Sequence, residues 1–211
     1  MNKFHCRRRA ALWGAAAALL IAAPVSAEAS DNDSVTAPVQ ELVDGLMQIM
    51  RAGAGTPFVR RFDMLAPIID KTFDLEAILQ ESVGSPWATL SPDQQAMLRQ
   101  AFRRYTVATY VNNFDAYEGQ RFEVSPNTRP VGTEQVVQTR IIPRSGETHE
   151  LDYVMREGGQ GWRAVDVLAD GTISRVAVQR SDFRRLLARG GAQALADSLR
   201  SKSVDLSEGS S

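Results

Sequence analysis

Apolar residues recur at helical spacing from Val35 through Val39, Leu42, Val43, Leu46, Ile49 and Met50, which predicts a first helix. Ser34 or Thr36 would cap it, with Pro38 in its first turn, and Gly53-Ala54-Gly55 breaks it. A second helix starts at Thr56-Pro57 with the stripe Phe58, Phe62, Leu65 and Ile69, and Pro67 is expected to kink or end it. Asp74 caps a short third helix carrying Leu75, Ile78 and Leu79, closed near Gly84. Ser91-Pro92-Asp93-Gln94 is a capping box with proline at the first helical position, and Met97, Leu98, Ala101, Phe102, Tyr105, Ala108 and Val111 carry a fourth helix to about Asp115. Its polar face, Arg99, Gln100, Arg103 and Arg104, reads as solvated.

After Glu118-Gly119 the apolar period switches to two. Phe122 and Val124 alternate, and strands over 135–142 and 147–156 follow, with Pro143-Arg144-Ser145-Gly146 as the turn between them. In the second of these, His149, Leu151, Tyr153 and Met155 share the core or cavity face, opposite Glu150, Asp152, Val154 and Arg156. Beyond Gly158 to Gly161, Trp162, Ala164, Asp166 and Leu168 alternate with Arg163, Val165, Val167 and Ala169, apolar on both sides as in a strand inside a layer. Asp170-Gly171 supplies a turn, Ile173 to Val178 resumes a β-like pattern, and Ser181 caps a helical region over 182–199 that Gly190-Gly191 interrupts. Sequential strands on short loops make an antiparallel meander. The fold class expected is α+β: a helix-rich N-terminal half, a curved antiparallel sheet of about four to five strands and C-terminal helices.

The ends change this picture. Lys3, Arg7, Arg8 and Arg9 precede the apolar run Ala10 to Ala23, which closes at Val25-Ser26-Ala27, the grammar of a cleaved signal peptide over 1–27. The run is shorter than the roughly 20 residues that cross a hydrocarbon core. Residues 28–34 are polar and expected to be flexible, 35–200 form one domain, and 201–211 read as a disordered polar tail. Cys6 leaves with the leader, so an exported chain without cysteine must be held by its core. Without the leader's four basic residues, the 24 basic residues fall to 20 against 25 acidic, a formal charge of about −5. That balance argues against nucleic acid and against tight adhesion to anionic membranes, which need a basic surface.

Candidate chemistry is sparse. The exported chain keeps a single histidine, His149, and no cysteine, so histidine pairs and cysteine sets for a metal are ruled out by counting. Nucleophile elbows, phosphate loops and calcium loops are missing, and no cofactor is expected. His149 could act as a base beside Asp152 or Asp166, but Asp152 points to the other face of its strand, and a structural role is the plainer reading. Asp166, beside packed apolar groups, needs a partner, and Arg175 or Arg180 is available. The aromatic residues, Trp87, Tyr110 and Phe114 among them, fit either a filled core or a cavity wall.

Several runs together resemble one family. Phe73-Asp74-Leu75 with Gly84-Ser85-Pro86-Trp87, Leu90 to Gln95, and Ala101-Phe102-Arg103-Arg104-Tyr105 with Tyr110 are similar to the helical half of the MlaC, or toluene-tolerance, family of periplasmic lipid-binding proteins. Tyr153, Gly161 to Val167, Ile173-Ser174 and Arg180-Ser181-Asp182-Phe183 resemble its second signature, Trp-x-x-x-Asp-Val, Gly-Val-Ser and Arg-x-x-Phe. Where the family commonly reads Gly-Val-Ser-Leu, this chain reads Gly171-Thr172-Ile173-Ser174-Arg175, which with Arg104 to Tyr110 looks like the hopanoid-associated HpnM branch.

The resemblance implies an MlaC-like, NTF2-like α+β fold around an apolar pocket, and a monomeric carrier with transient membrane contact that performs no chemistry. Its ligand would be phospholipid or hopanoid. Its partners would be an inner-membrane lipid transporter, of ABC type or another exporter, and an outer-membrane component. Shielding a ~15-carbon chain from water is worth on the order of 12 kcal/mol, at about 0.8 per CH₂, so such a pocket needs apolar walls more than polar bonds. From the apolar faces, the expected lipid-binding residues are Phe62, Leu65, Phe102, Tyr105, Val137, Ile141, Leu151, Tyr153 and Trp162. The alternatives are a small-molecule enzyme on the same scaffold, using His149 or Asp166, and a peptide-holding groove.

Overall fold

The computed structural model describes residues 27–53 and 55–209. Apart from Ala27, the expected leader lies outside them. Five α-helices and a five-stranded antiparallel sheet follow in the order α1 Ala27–Ala52, α2 Phe58–Thr72, α3 Leu75–Val83, a 3₁₀ turn Ser85–Thr89, α4 Pro92–Asn113, β1 Arg121–Val131, β2 Glu134–Ile142, β3 His149–Gly158, β4 Gly161–Ala169, β5 Ile173–Ser174 and α5 Arg175–Glu208. The strands lie in sequence order, a meander as expected.

Caps define the middle helices. Asp74 accepts the Ala77 amide at 3.0 Å, and both halves of the Ser91–Gln94 box are present. α1 runs further back than its caps suggested. The helix takes in 28–34, and Pro38 falls in its interior. α2 continues through Pro67, which lies on its exposed side while Leu65, Ala66 and Ile69 are buried. At Gly45, α1 approaches α2 so closely that a Cβ would stand 2.5 Å from the Ile68 side chain.

The core gathers Val39, Leu42, Leu46 and Ile49 of α1 with Leu65 and Ile69 of α2, Leu98 and Phe102 of α4, Val137 and Tyr153 of the sheet, and Leu195 and Leu199 of α5. α5 does not stop at 200. It reaches Glu208 with Ser203 buried, so 201–208 of the expected tail are helical. Gly190 and Gly191 have non-helical dihedrals and divide it, as expected, into two halves.

Two bulges shape the sheet. β1 slips against β2 between Val124 and Thr128, around Pro126. β4 slips against β3 between Asp166, opposite Val154, and Ala164, opposite Met155, leaving Val165 as the extra residue. This corrects the alternation expected for β4. Beyond the bulge Val167 pairs with Tyr153 and Ala169 with Leu151, so these two share the face of Ala164, and Leu168 goes to the other side with Asp152.

Candidate functional site

The phase change on β4 turns Val167 and Ala169 toward α4 and α5, where they help to line an apolar recess of about 250 Å³. The junction of α2 and α3 forms its back. The Asp74 amide donates to the Ala164 carbonyl at 2.9 Å, and Arg163 donates to the carbonyls of Phe73 and, at 3.1 Å, Asp70, which docks Phe73 and Leu75 against β4. From α4, Phe102, Tyr105, Thr106, Thr109, Tyr110 and Asn113 project into the recess at helical spacing. Arg175, Val176 and Gln179, from the first turns of α5, close the remaining side.

Aromatic contacts make the wall continuous. Phe73 lies 5.5 Å from Tyr110 and 6.1 Å from Tyr153, and Tyr110 stacks on Phe114 at 6.1 Å. Burial pushes the Tyr110 hydroxyl well above the usual phenol range, with the neighbouring Tyr153 adding to it. Burial pushes Tyr153 up to about 12, against a smaller opposing effect of its hydrogen bond with Tyr110. Both phenols therefore stay neutral, the only charge state an apolar wall tolerates without a partner.

Asp166 also lines the recess. The expected ion pair with Arg175 or Arg180 is not formed. Its carboxylate accepts instead from the amides of Val167 at 2.7 Å and Val176 at 3.1 Å and from the Ser174 hydroxyl. Ser174 in turn accepts the Ala177 amide at 3.0 Å, so the serine and the aspartate together cap α5. This moves the helix start to Arg175 and shortens β5 to two residues; the expected cap, Ser181, lies within the helix. Arg180 donates to the Glu81 carbonyl at 2.8 Å.

Of the nine residues expected to bind ligand, Phe102, Tyr105 and Leu151 line the recess. Leu65, Val137 and Tyr153 are fully buried in the core and do not line the recess. Phe62 and Trp162 are half-buried and packed against that core, and Ile141 is half-buried on β2. His149 is exposed at the start of β3 and is no part of the recess. The polar face of α4 is largely exposed as expected, and two of its arginines make surface ion pairs there: Arg103 meets Asp70 with two hydrogen bonds of 2.7 and 2.6 Å, and Arg99 bonds Glu76 beside Trp87. Sequence reasoning missed Arg175 and Val176 because it read Ile173 to Val178 as β-like, and Gln179 because it placed the helix start at Ser181, beyond it. Among the described residues no His, Cys, Asp or Glu cluster could hold a metal, and no helix is long and apolar enough to cross a membrane.

The family model for MlaC protein matches residues 40–201, more than half of the chain and all of the recess. The chain belongs to the MlaC family. A solved structure, that of a phospholipid-binding protein from Ralstonia solanacearum in complex with a phospholipid, superposes with a TM-score of 0.71 over 82% of this chain and 98% of its own. At 22% sequence identity this likeness establishes the fold. No match is found among curated proteins.

Proposed function

We propose that this MlaC-family chain is a non-catalytic periplasmic carrier that shuttles a membrane lipid between an inner-membrane transporter and an outer-membrane component. The observation that carries the reading is the recess itself, lined mainly by aromatic and aliphatic side chains, with the neutral phenol of Tyr110 in its wall. Its polar residues do not form a catalytic set, since the Asp166 oxygens serve the start of α5 and His149 is elsewhere. At about 250 Å³ the recess is smaller than the roughly 300–1,000 Å³ typical of small-molecule pockets, so it does not enclose a two-chain lipid as it stands. The phospholipid bound by the Ralstonia protein supports a phospholipid ligand, and the wording of 104–110 and 171–180 supports a hopanoid one.

The test is lipid identification. Protein produced with its own leader and purified without detergent is expected to release a stoichiometric lipid on solvent extraction, identified by mass spectrometry. It is also expected to move that lipid between vesicles. Protein that yields no lipid and transfers none would overturn the carrier reading.

A further inference from the structure

Between the end of α3 and the first half of α5 lies a second concavity, a groove of about 770 Å³ that shares no residue with the recess. Val83 and Ala192, both buried, and the half-buried Leu90 and Leu187 give it an apolar lining. Two runs that stand out in the sequence meet there, Gly84-Ser85-Pro86 on one wall and Arg180 on the other, and neither contributes to the recess. Arg184 follows Arg180 one helical turn along the same wall. The groove runs beside α5 from Arg180 to the break at Gly191, a length of roughly 16 Å at 1.5 Å per residue. That is the span of about five residues of extended chain.

The charge of the groove is one-sided. Arg180 donates its Nε–H to the Glu81 carbonyl at 2.8 Å, so its two NH₂ groups remain to donate outward. Arg184 is exposed and enters none of the ion pairs among the described residues, and no acidic side chain lines the groove. The imbalance extends along the helix. Residues 175–189 hold five arginines and one acid, a formal charge of +4, while the rest of 28–211 holds 15 basic and 24 acidic residues, a formal charge of −9. An acidic partner is therefore steered to this side of a chain that repels it elsewhere. An anionic bilayer has the charge but not the shape, because a flat headgroup surface does not enter a groove between a helix and a turn. An extended polypeptide does, with aliphatic side chains on the floor and carboxylates against the arginines.

We propose that this groove docks a protein partner through an extended segment in which acidic residues are interspersed with aliphatic ones. The site goes beyond the carrier reading and stands on residues of its own.

Phage-displayed random heptapeptides are selected on the protein produced with its own leader, and the most enriched heptapeptide is synthesised with a fluorescent label and titrated by polarisation. Enriched sequences are expected to combine a carboxylate with an aliphatic residue. Arg184→Glu should weaken the labelled peptide about tenfold, and Ala188→Trp, which fills the groove from an exposed position of its lining, should block it. Arg189→Glu makes the same change of charge on the same half of α5 outside the groove, and should stay within about twofold. All three positions are exposed and none lines the recess, so circular-dichroism melting curves and co-purified lipid should be unchanged. No enrichment, enrichment without acidic residues, or binding that survives both Arg184→Glu and Ala188→Trp overturns the assignment and leaves the carrier reading standing. Equal weakening by Arg184→Glu and Arg189→Glu, with displacement of the peptide by phosphatidylglycerol vesicles, also overturns it, by making α5 a basic face for anionic membranes. Peptide binding as expected in protein that carries no lipid leaves this assignment standing and counts against the carrier reading alone.

Discussion

The Asp166 carboxylate accepts the backbone amide of Val176 at 3.1 Å, tying the last full strand of the sheet to the first turn of α5. With the Ser174 hydroxyl on the same carboxylate, one acidic side chain sets where a helix of 34 residues begins and holds the recess wall that carries Arg175 and Gln179.

Removing that carboxylate should therefore loosen the fold and leave no chemistry to lose. Asp166→Ala is expected to destabilise the protein by about 2 kcal/mol, the scale of hydrogen bonds to a charged group, and Ser174→Ala by about 1 kcal/mol, the scale of a lost cap. Ser181→Ala, at the cap position suggested by sequence, should stay within about 0.5 kcal/mol. Urea unfolding of the three variants checks the order.

Recess and core positions should separate in their effects. Leu151→Lys is expected to lower the amount of co-purified lipid severalfold with little loss of folded yield, because Leu151 is half-buried and faces open space. Val137→Asp should abolish soluble expression, since its side chain is fully enclosed and an unpaired buried carboxylate has no escape to water. Equal loss of lipid and of yield in Leu151→Lys would make it an ordinary core position.

Tyr153 gives the fold an alkaline limit. Its folded-state pKa of about 12 lies above the unfolded value of about 10, so the native state holds the proton more tightly. The stability from this group is fully present below about pH 10 and is lost as pH rises through about 12. Denaturant midpoints measured from pH 8 to 12 should fall over that window, and less steeply in Tyr153→Phe.

The break in α5 should tolerate only glycine at its second residue. Gly191 has φ 63° and ψ −156°, a region essentially closed to other residues, so Gly191→Ala is expected to cost about 1–3 kcal/mol. A melting temperature unchanged in this variant would show that α5 straightens freely.

How far the sequence predicts this molecule depends on whether the deciding contact is local. Asp74, the Ser91–Gln94 box, the turns at 143–146 and 170–171 and the Gly190-Gly191 break act within a few residues, and the structure has each where the sequence places it. The start of α5 is decided by Asp166, ten residues before Val176, and this overrides the β-like alternation of Ile173 to Val178. The Val165 bulge is likewise a matter of pairing with β3, and it reassigns Val167, Ala169 and Leu168. For the recess, periodicity marks which faces are apolar, but Tyr105 and Val137 satisfy the same pattern. Only the three-dimensional packing separates the one beside a space from the one inside the core.

The bulge in β1 bears on how these molecules meet one another. β1 is one outer edge of the sheet, its ladder slips between Val124 and Thr128, and Pro126 and Pro130 bring no amide to it; the opposite edge, β5, is two residues long. A second copy seeking to add a strand finds an interrupted row of donors on one side and almost no row on the other. The protein can thus keep an apolar interior accessible at high concentration without offering its backbone as a template for fibres.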